Sequence, residues 1–101
     1  MGKVVSQGDV LKIEKIASPV LVVSKDFFNN TGEIIGCPIY KDGRTGALHI
    51  YVESDDTAGY VQCEKLALLD LSARDYLKIG RISISEIINI SDAIQGIFDY
   101  V

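Results

Sequence analysis

Tryptophan is absent from this 101-residue sequence, and there are one histidine, one methionine, two prolines and two cysteines. Cys37 and Cys63 form no CxxC pair and no His/Cys cluster, which excludes a disulfide-dense scaffold and a structural zinc site. One bridge is arithmetically open, and spacing alone does not decide it. The cytosolic reading leaves both thiols reduced. No apolar run approaches the ~18–20 residues of a membrane-spanning helix. The opening Met1-Gly2-Lys3-Val4-Val5-Ser6 lacks the apolar stretch of a secretory leader. A cytoplasmic protein with no membrane segment is therefore expected. A surplus of positive charge is missing too, with a net charge of −4 and a pI near 4.8. That excludes a simple basic nucleic-acid binder, whose affinity rests on neutralising phosphates. The charge is uneven: residues 1–52 carry six Lys/Arg against five Asp/Glu, and residues 53–101 carry four against nine. A nucleic-acid surface would be a local patch. Lys12, Lys15, Lys25, Lys41 and Arg44 form one candidate set, and Arg74, Lys78 and Arg81 another.

What is present is apolar residue, at 48% of the chain, enough for a core without staples. Length fits one domain, residues 1–101, and no repeat or linker divides it. Residues 10–16 alternate Leu11 and Ile13 with Lys12 and Glu14, which predicts a half-buried strand. Val20-Leu21-Val22-Val23 is β-branched and reads as a buried strand. Residues 25–32 break the pattern and predict a loop with one helical turn. A strand over residues 33–40 contains Pro38, which fits only an edge, a bulge or a strand end. Asp42-Gly43 is a hairpin signal before a strand over residues 47–53. There Leu48, Ile50 and Val52 share one face, and His49 and Tyr51 the other. A further strand starts at Gly59 and runs on to Leu71. A last one covers residues 76–82. Ser83 with Glu86 is a capping box that opens a C-terminal helix. Ile84, Ile87, Ile88, Ile94, Ile97, Phe98 and Val101 recur along it at helical spacing as one apolar stripe. Gly96 in mid-helix predicts close packing. Short strands with one packed helix predict a mostly β fold, a small barrel covered at one end by the helix.

Five stretches occur in an order that resembles a known family. They are Gln7-Gly8-Asp9-Val10, the run Pro19-Val20-Leu21-Val22-Val23-Ser24-Lys25-Asp26-Phe27-Phe28-Asn29, and Cys37-Pro38-Ile39. Val61-Gln62-Cys63-Glu64-Lys65 through Asp70 follows, then Ile79-Gly80-Arg81-Ile82-Ser83. The chain resembles the MazF/PemK (Kid) family of bacterial toxins over nearly its whole length. The resemblance implies an SH3-like barrel with a C-terminal helix, a homodimer, and a partner antitoxin that wraps the dimer. It also implies single-stranded RNA as substrate. Active members use no metal and no cofactor, and drive the 2′-OH onto the adjacent phosphate.

The motif positions depart from that pattern at the chemistry. Ser18 stands where the family has a catalytic Arg before its Pro. Tyr40 stands where a catalytic Thr follows Pro-Ile. Ala17-Ser18 replaces a long Gly-rich loop, Gln62 an Arg, and Ala67 a downstream basic residue. Only Glu64 keeps the family's acidic type. Glu64 and Tyr40 are therefore the candidate catalytic residues, and Ser18, Lys25, Arg44 and Gln62 the candidates for RNA or phosphate contact. His49 reads as an ordinary strand residue, and Glu64 has a rival reading as a carboxylate paired with Lys65 or another cation. Losing a fixed cation removes transition-state stabilisation that serine cannot supply, so weak or lost RNA cleavage is expected. Two alternatives stand beside a rebuilt ribonuclease. One is a non-catalytic toxin like CcdB, which poisons DNA gyrase by contact; here Ile94, Phe98 and Tyr100 are the candidate partner-binding residues. The other is a degenerate member that only binds an antitoxin or another partner.

Overall fold

The computed structural model describes residues 4–99, in which seven strands and two helices follow one another. They are β1 Asp9–Ile13, β2 Val20–Val22, α1 Asp26–Asn29, β3 Glu33–Tyr40, β4 His49–Ser54, β5 Thr57–Gln62, β6 Ala67–Asp70, β7 Tyr76–Arg81 and α2 Ile84–Phe98. Every paired strand is antiparallel, in the order β4-β5-β3-β2-β1-β7, with β6 beside β3. The result is a mostly β, curled half-barrel with a C-terminal helix.

β3 holds three neighbours because its two edges are used differently. Toward β2, the Val23 N–H donates to the Ile35 carbonyl and the Ile39 N–H to the Pro19 carbonyl, both at 2.9 Å. The opposite edge is shared: residues up to Gly36 pair with β6, and Ile39 and Tyr40 pair with β5. Pro38 falls in the fork between them, on the side where no partner asks for an N–H. This is how a proline sits inside an eight-residue strand.

Three expectations about the strands change. Strand β1 ends at Ile13, where the sequence suggested residue 16, and Lys15 takes a left-handed φ of 67°. Asp42-Gly43 does not close a hairpin, because β5 lies between β3 and β4. The tight hairpin is β4–β5, closed at Ser54↔Thr57 around Asp55-Asp56. Gly59 permits that insertion, since a Cβ there would stand 2.6 Å from the Tyr40 carbonyl oxygen. The expected long strand from Gly59 to Leu71 is broken by a turn, in which the Lys65 N–H donates to the Gln62 carbonyl at 3.0 Å. That turn hands the chain from β5 to β6.

The sheet has apolar faces on both sides. One face buries Leu21, Cys37, Ile39, Val52 and Val61 beneath Ile90 of α2. The other buries Leu11, Ile13, Val20, Val22 and Ile34 with Val5 and Leu71, and Ile16, Leu69 and Tyr76 pack against them. Helix α2 begins as predicted, with the Ser83–Glu86 capping box formed in both directions. Its apolar stripe, however, is split between core and solvent. Ile87, Ile90 and Ile94 pack on the sheet, whereas Ile84, Ile88 and Phe98 are 73%, 53% and 70% exposed. Ile84 and Ile88 lie about a third of a turn away from the core-facing side, which the sequence period does not resolve. Among the described residues, none outside the helix's own backbone comes within 4 Å of a Cβ built at Gly96, so the expected close packing is not made among them. Val101 lies outside the described residues.

Candidate functional site

Paired residues of an antiparallel ladder project from the same face. Tyr40 is opposite Tyr60, Tyr60 is opposite Tyr51, and His49 is opposite Gln62. The outer surface of β3, β5 and β4 therefore carries a tyrosine row with His49 and Gln62 beside it. Tyr51 and Tyr60 pack edge to face with centroids 5.3 Å apart. Gln62 is buried and its side-chain amide donates to the Tyr60 carbonyl at 3.1 Å. It is the floor of the surface and does not stand free.

The turn after β5 supplies the charges. Glu64 Oε2 lies 3.0 Å from His49 Nε2, with the two side chains 37% and 39% exposed. The His49 hydrogen bond, a backbone hydrogen bond and the nearby Lys65 charge hold the Glu64 carboxyl below its ordinary value. The Lys65 ammonium donates to the Tyr40 hydroxyl at 3.3 Å and stands 4.8 Å from the ring centroid. Two consecutive turn residues thus each reach a different strand, Glu64 to β4 and Lys65 to β3.

Ser18 and Tyr40 share a groove with Pro19, Ile39, Lys41, Asp42 and Asp56. The connection between β3 and β4 passes the Tyr60 ring at Gly43, and Arg44, the next residue, is exposed. Lys25 is elsewhere. Ser24 bonds the Ile35 carbonyl, so Lys25 lies five β3 residues, roughly 16 Å, from Tyr40. Of the α2 candidates, Ile94 packs on the core, Phe98 is exposed, and Tyr100 lies outside the described residues. The structure thus joins Ser18 with Tyr40 and places Gln62 beneath the same face. It gives Glu64 and Tyr40 partners, His49 and Lys65, that the motif comparison did not assign. Only the 49↔62 register would have found the first of them.

The fold is that of several solved toxins. The chain superimposes on MazF in a MazE–MazF crystal structure from Deinococcus radiodurans with a TM-score of 0.86 at 16% identity, covering 96% of this chain and 98% of that one. An endoribonuclease from a mycobacterial species matches with a TM-score of 0.80 at 23% identity, covering 95% and 92%. A mycobacterial endoribonuclease in complex with its cognate antitoxin matches with a TM-score of 0.78 at 23% identity, over 93% and 94%. No curated protein sequence matches. The class is that of small half-barrel toxins with a terminal helix. Residues 9–98 match the family described as PemK-like, MazF-like toxin of type II toxin-antitoxin system, and the chain belongs to it.

Proposed function

We propose that this chain inhibits growth as the toxin of a bacterial toxin–antitoxin pair, acting in the cytoplasm as a homodimer, and that its RNA cleavage is weak or lost. A cognate antitoxin peptide neutralises it. The observation that carries this reading is the groove shared by Ser18 and Tyr40. Where the family places arginine beside the scissile phosphate, the groove offers a neutral hydroxyl, and Asp42 and Asp56 line it against the single cation Lys41. A phosphorane formed there lacks a fixed counter-charge, and such a loss commonly costs several kcal/mol of transition-state stabilisation, on the order of 3.

The test is direct. Purified protein is incubated with long single-stranded RNA and the new ends are mapped, while a matched culture expresses the protein with and without the antitoxin encoded beside it. Growth arrest relieved by the antitoxin, with RNA cut slowly or not at all, is expected. Rapid site-specific cleavage would refute the weak-or-lost reading.

A second reading is favoured by α2. Ile84, Ile88 and Phe98 leave an apolar face outside the fold, which suits a toxin that acts by protein contact. Gyrase trapping by this protein, abolished by Ile88→Asp, would select it.

A further inference from the structure

We propose that His49, held by Glu64, is the general base of the RNA cleavage that remains, and that Tyr40, held by Lys65, is its general acid. This rests on the ribonuclease descent argued above, and it assigns the chemistry to a different set of side chains from the missing arginine and threonine.

The hydrogen bonds define both roles. An ionised carboxylate only accepts, so His49 Nε2 is the donor in its 3.0 Å bond to Glu64. The neutral ring then keeps its lone pair on Nδ1, the nitrogen a base needs. The imidazole is 39% exposed, open to a substrate hydroxyl. On β3, the Lys65 ammonium donates to the Tyr40 oxygen at 3.3 Å. The phenol O–H is thereby left free to donate outward, with a positive charge facing the oxygen that will lose its proton. His49 and Tyr40 stand two strands apart and two residues out of line, so their Cα atoms are roughly 12 Å apart. Both side chains reach the same turn, His49 at Glu64 and Tyr40 at Lys65, which are consecutive residues.

The step balances. His49 Nδ1 takes the proton of a ribose 2′-OH as O2′ bonds to phosphorus. The P–O5′ bond breaks, and O5′ takes the Tyr40 proton. Lys65, bonded to the phenol oxygen, stabilises the phenolate as it forms. The products are a 2′,3′-cyclic phosphate and a 5′-hydroxyl, and a proton returns from imidazolium to phenolate through water. Glu64 is a positioning residue in this scheme, since it acts through the imidazole.

The test uses the whole protein and a long single-stranded RNA, with end chemistry read by mapping. Slow cleavage leaving 2′,3′-cyclic phosphate ends is expected. His49→Ala should lower the rate by ~100-fold, and added imidazole should restore part of it, which a merely structural histidine would not allow. Tyr40→Phe should slow cleavage while leaving the melting temperature in place. Glu64→Gln should lower the rate less than His49→Ala. Cleavage by His49→Ala at the native rate overturns the proposal, as does loss of activity that imidazole does not rescue in a folded variant. RNA left intact by the native protein also overturns it. Where growth arrest persists with intact RNA, the toxin reading stands; where both are absent, that reading falls as well.

Discussion

Glu86 Oε2 accepts the backbone N–H of Glu53 at 3.2 Å while its Oε1 accepts the backbone N–H of Ser83 at 2.9 Å. One carboxylate therefore completes the cap of α2 and ties the helix to the far end of β4. Strands β4 and β7 are the two ends of the sheet order, and this contact helps draw them together.

Glu86 should make stability pH-dependent. Burial pushes its carboxyl up, but the Ser83 backbone and hydroxyl and the Glu53 N–H outweigh that and hold it below its ordinary value. A depressed folded value means the stabilisation is complete above the unfolded-state glutamate value and is lost as pH falls through the folded one. Glu86→Ala should cost about 1–2 kcal/mol at neutral pH, the range of a lost cap. The gap between variant and native protein should narrow in acid. Urea melts at pH 7 and pH 3 measure it, and an unchanged gap would refute the assignment.

Asp9 gives an asymmetric prediction. Its side chain is 1% exposed and accepts from Arg81 at 2.8 Å and Lys78 at 3.1 Å, with partners that are half exposed. Its second oxygen accepts from the Ser6 N–H at 2.8 Å. The cations can return to water when their partner is removed, and the carboxylate cannot. The pair Arg81→Met with Lys78→Met should therefore cost about 3–5 kcal/mol. Asp9→Asn, which removes the charge and keeps much of the shape, should cost about 1–2 kcal/mol. Urea unfolding of both variants decides it, and the reverse order would sink the account.

The elements that follow local chemistry were legible in the sequence. Leu48, Ile50 and Val52 turn inward or toward the core while His49 and Tyr51 turn out, as alternation requires. The Ser83–Glu86 cap is local and formed as read. Pairing was less legible, because Asp42-Gly43 carries the chemistry of a hairpin and yet β5 takes the place beside β3. That choice is made by the close backbone approach at Gly59, a contact between segments distant in the chain. The same holds for the site. Ser18, Tyr40 and Glu64 stand out by motif, but the His49–Glu64 pair spans 15 residues and exists only through register. Ile84 and Ile88 look like core residues because a helical period counts spacing, not which side the sheet occupies.

Ser54 should be replaceable at a gain. Its Oγ is buried without a hydrogen-bond partner among the described residues. It stands over Gly80 of β7, where an added Cβ would collide with that oxygen. A buried hydroxyl with no partner carries a desolvation cost that its removal releases. Ser54→Ala should raise stability by about 0.5–1 kcal/mol, whereas Gly80→Ala should destabilise by forcing β4 and β7 apart. Differential scanning calorimetry of the two variants checks both signs, and a loss of stability in Ser54→Ala would show that the hydroxyl is in fact satisfied.

The two thiols should be inert in the folded protein. Cys37 and Cys63 are free and buried in one core, with Cys37 Sγ 3.9 Å from the Cys63 carbonyl oxygen. Burial, with the neighbouring thiol and Glu64 adding to it, pushes Cys37 up to about 12. Burial first and Glu64 second push Cys63 up to about 11. The thiolate is the reactive form, so at pH 8 neither site offers an appreciable nucleophile or a path to one. Iodoacetamide at pH 8 should leave the mass of the native protein unchanged and add two carbamidomethyl groups once urea unfolds it. Prompt labelling of either cysteine without denaturant would mean that the core beneath α2 opens far more readily than its packing implies.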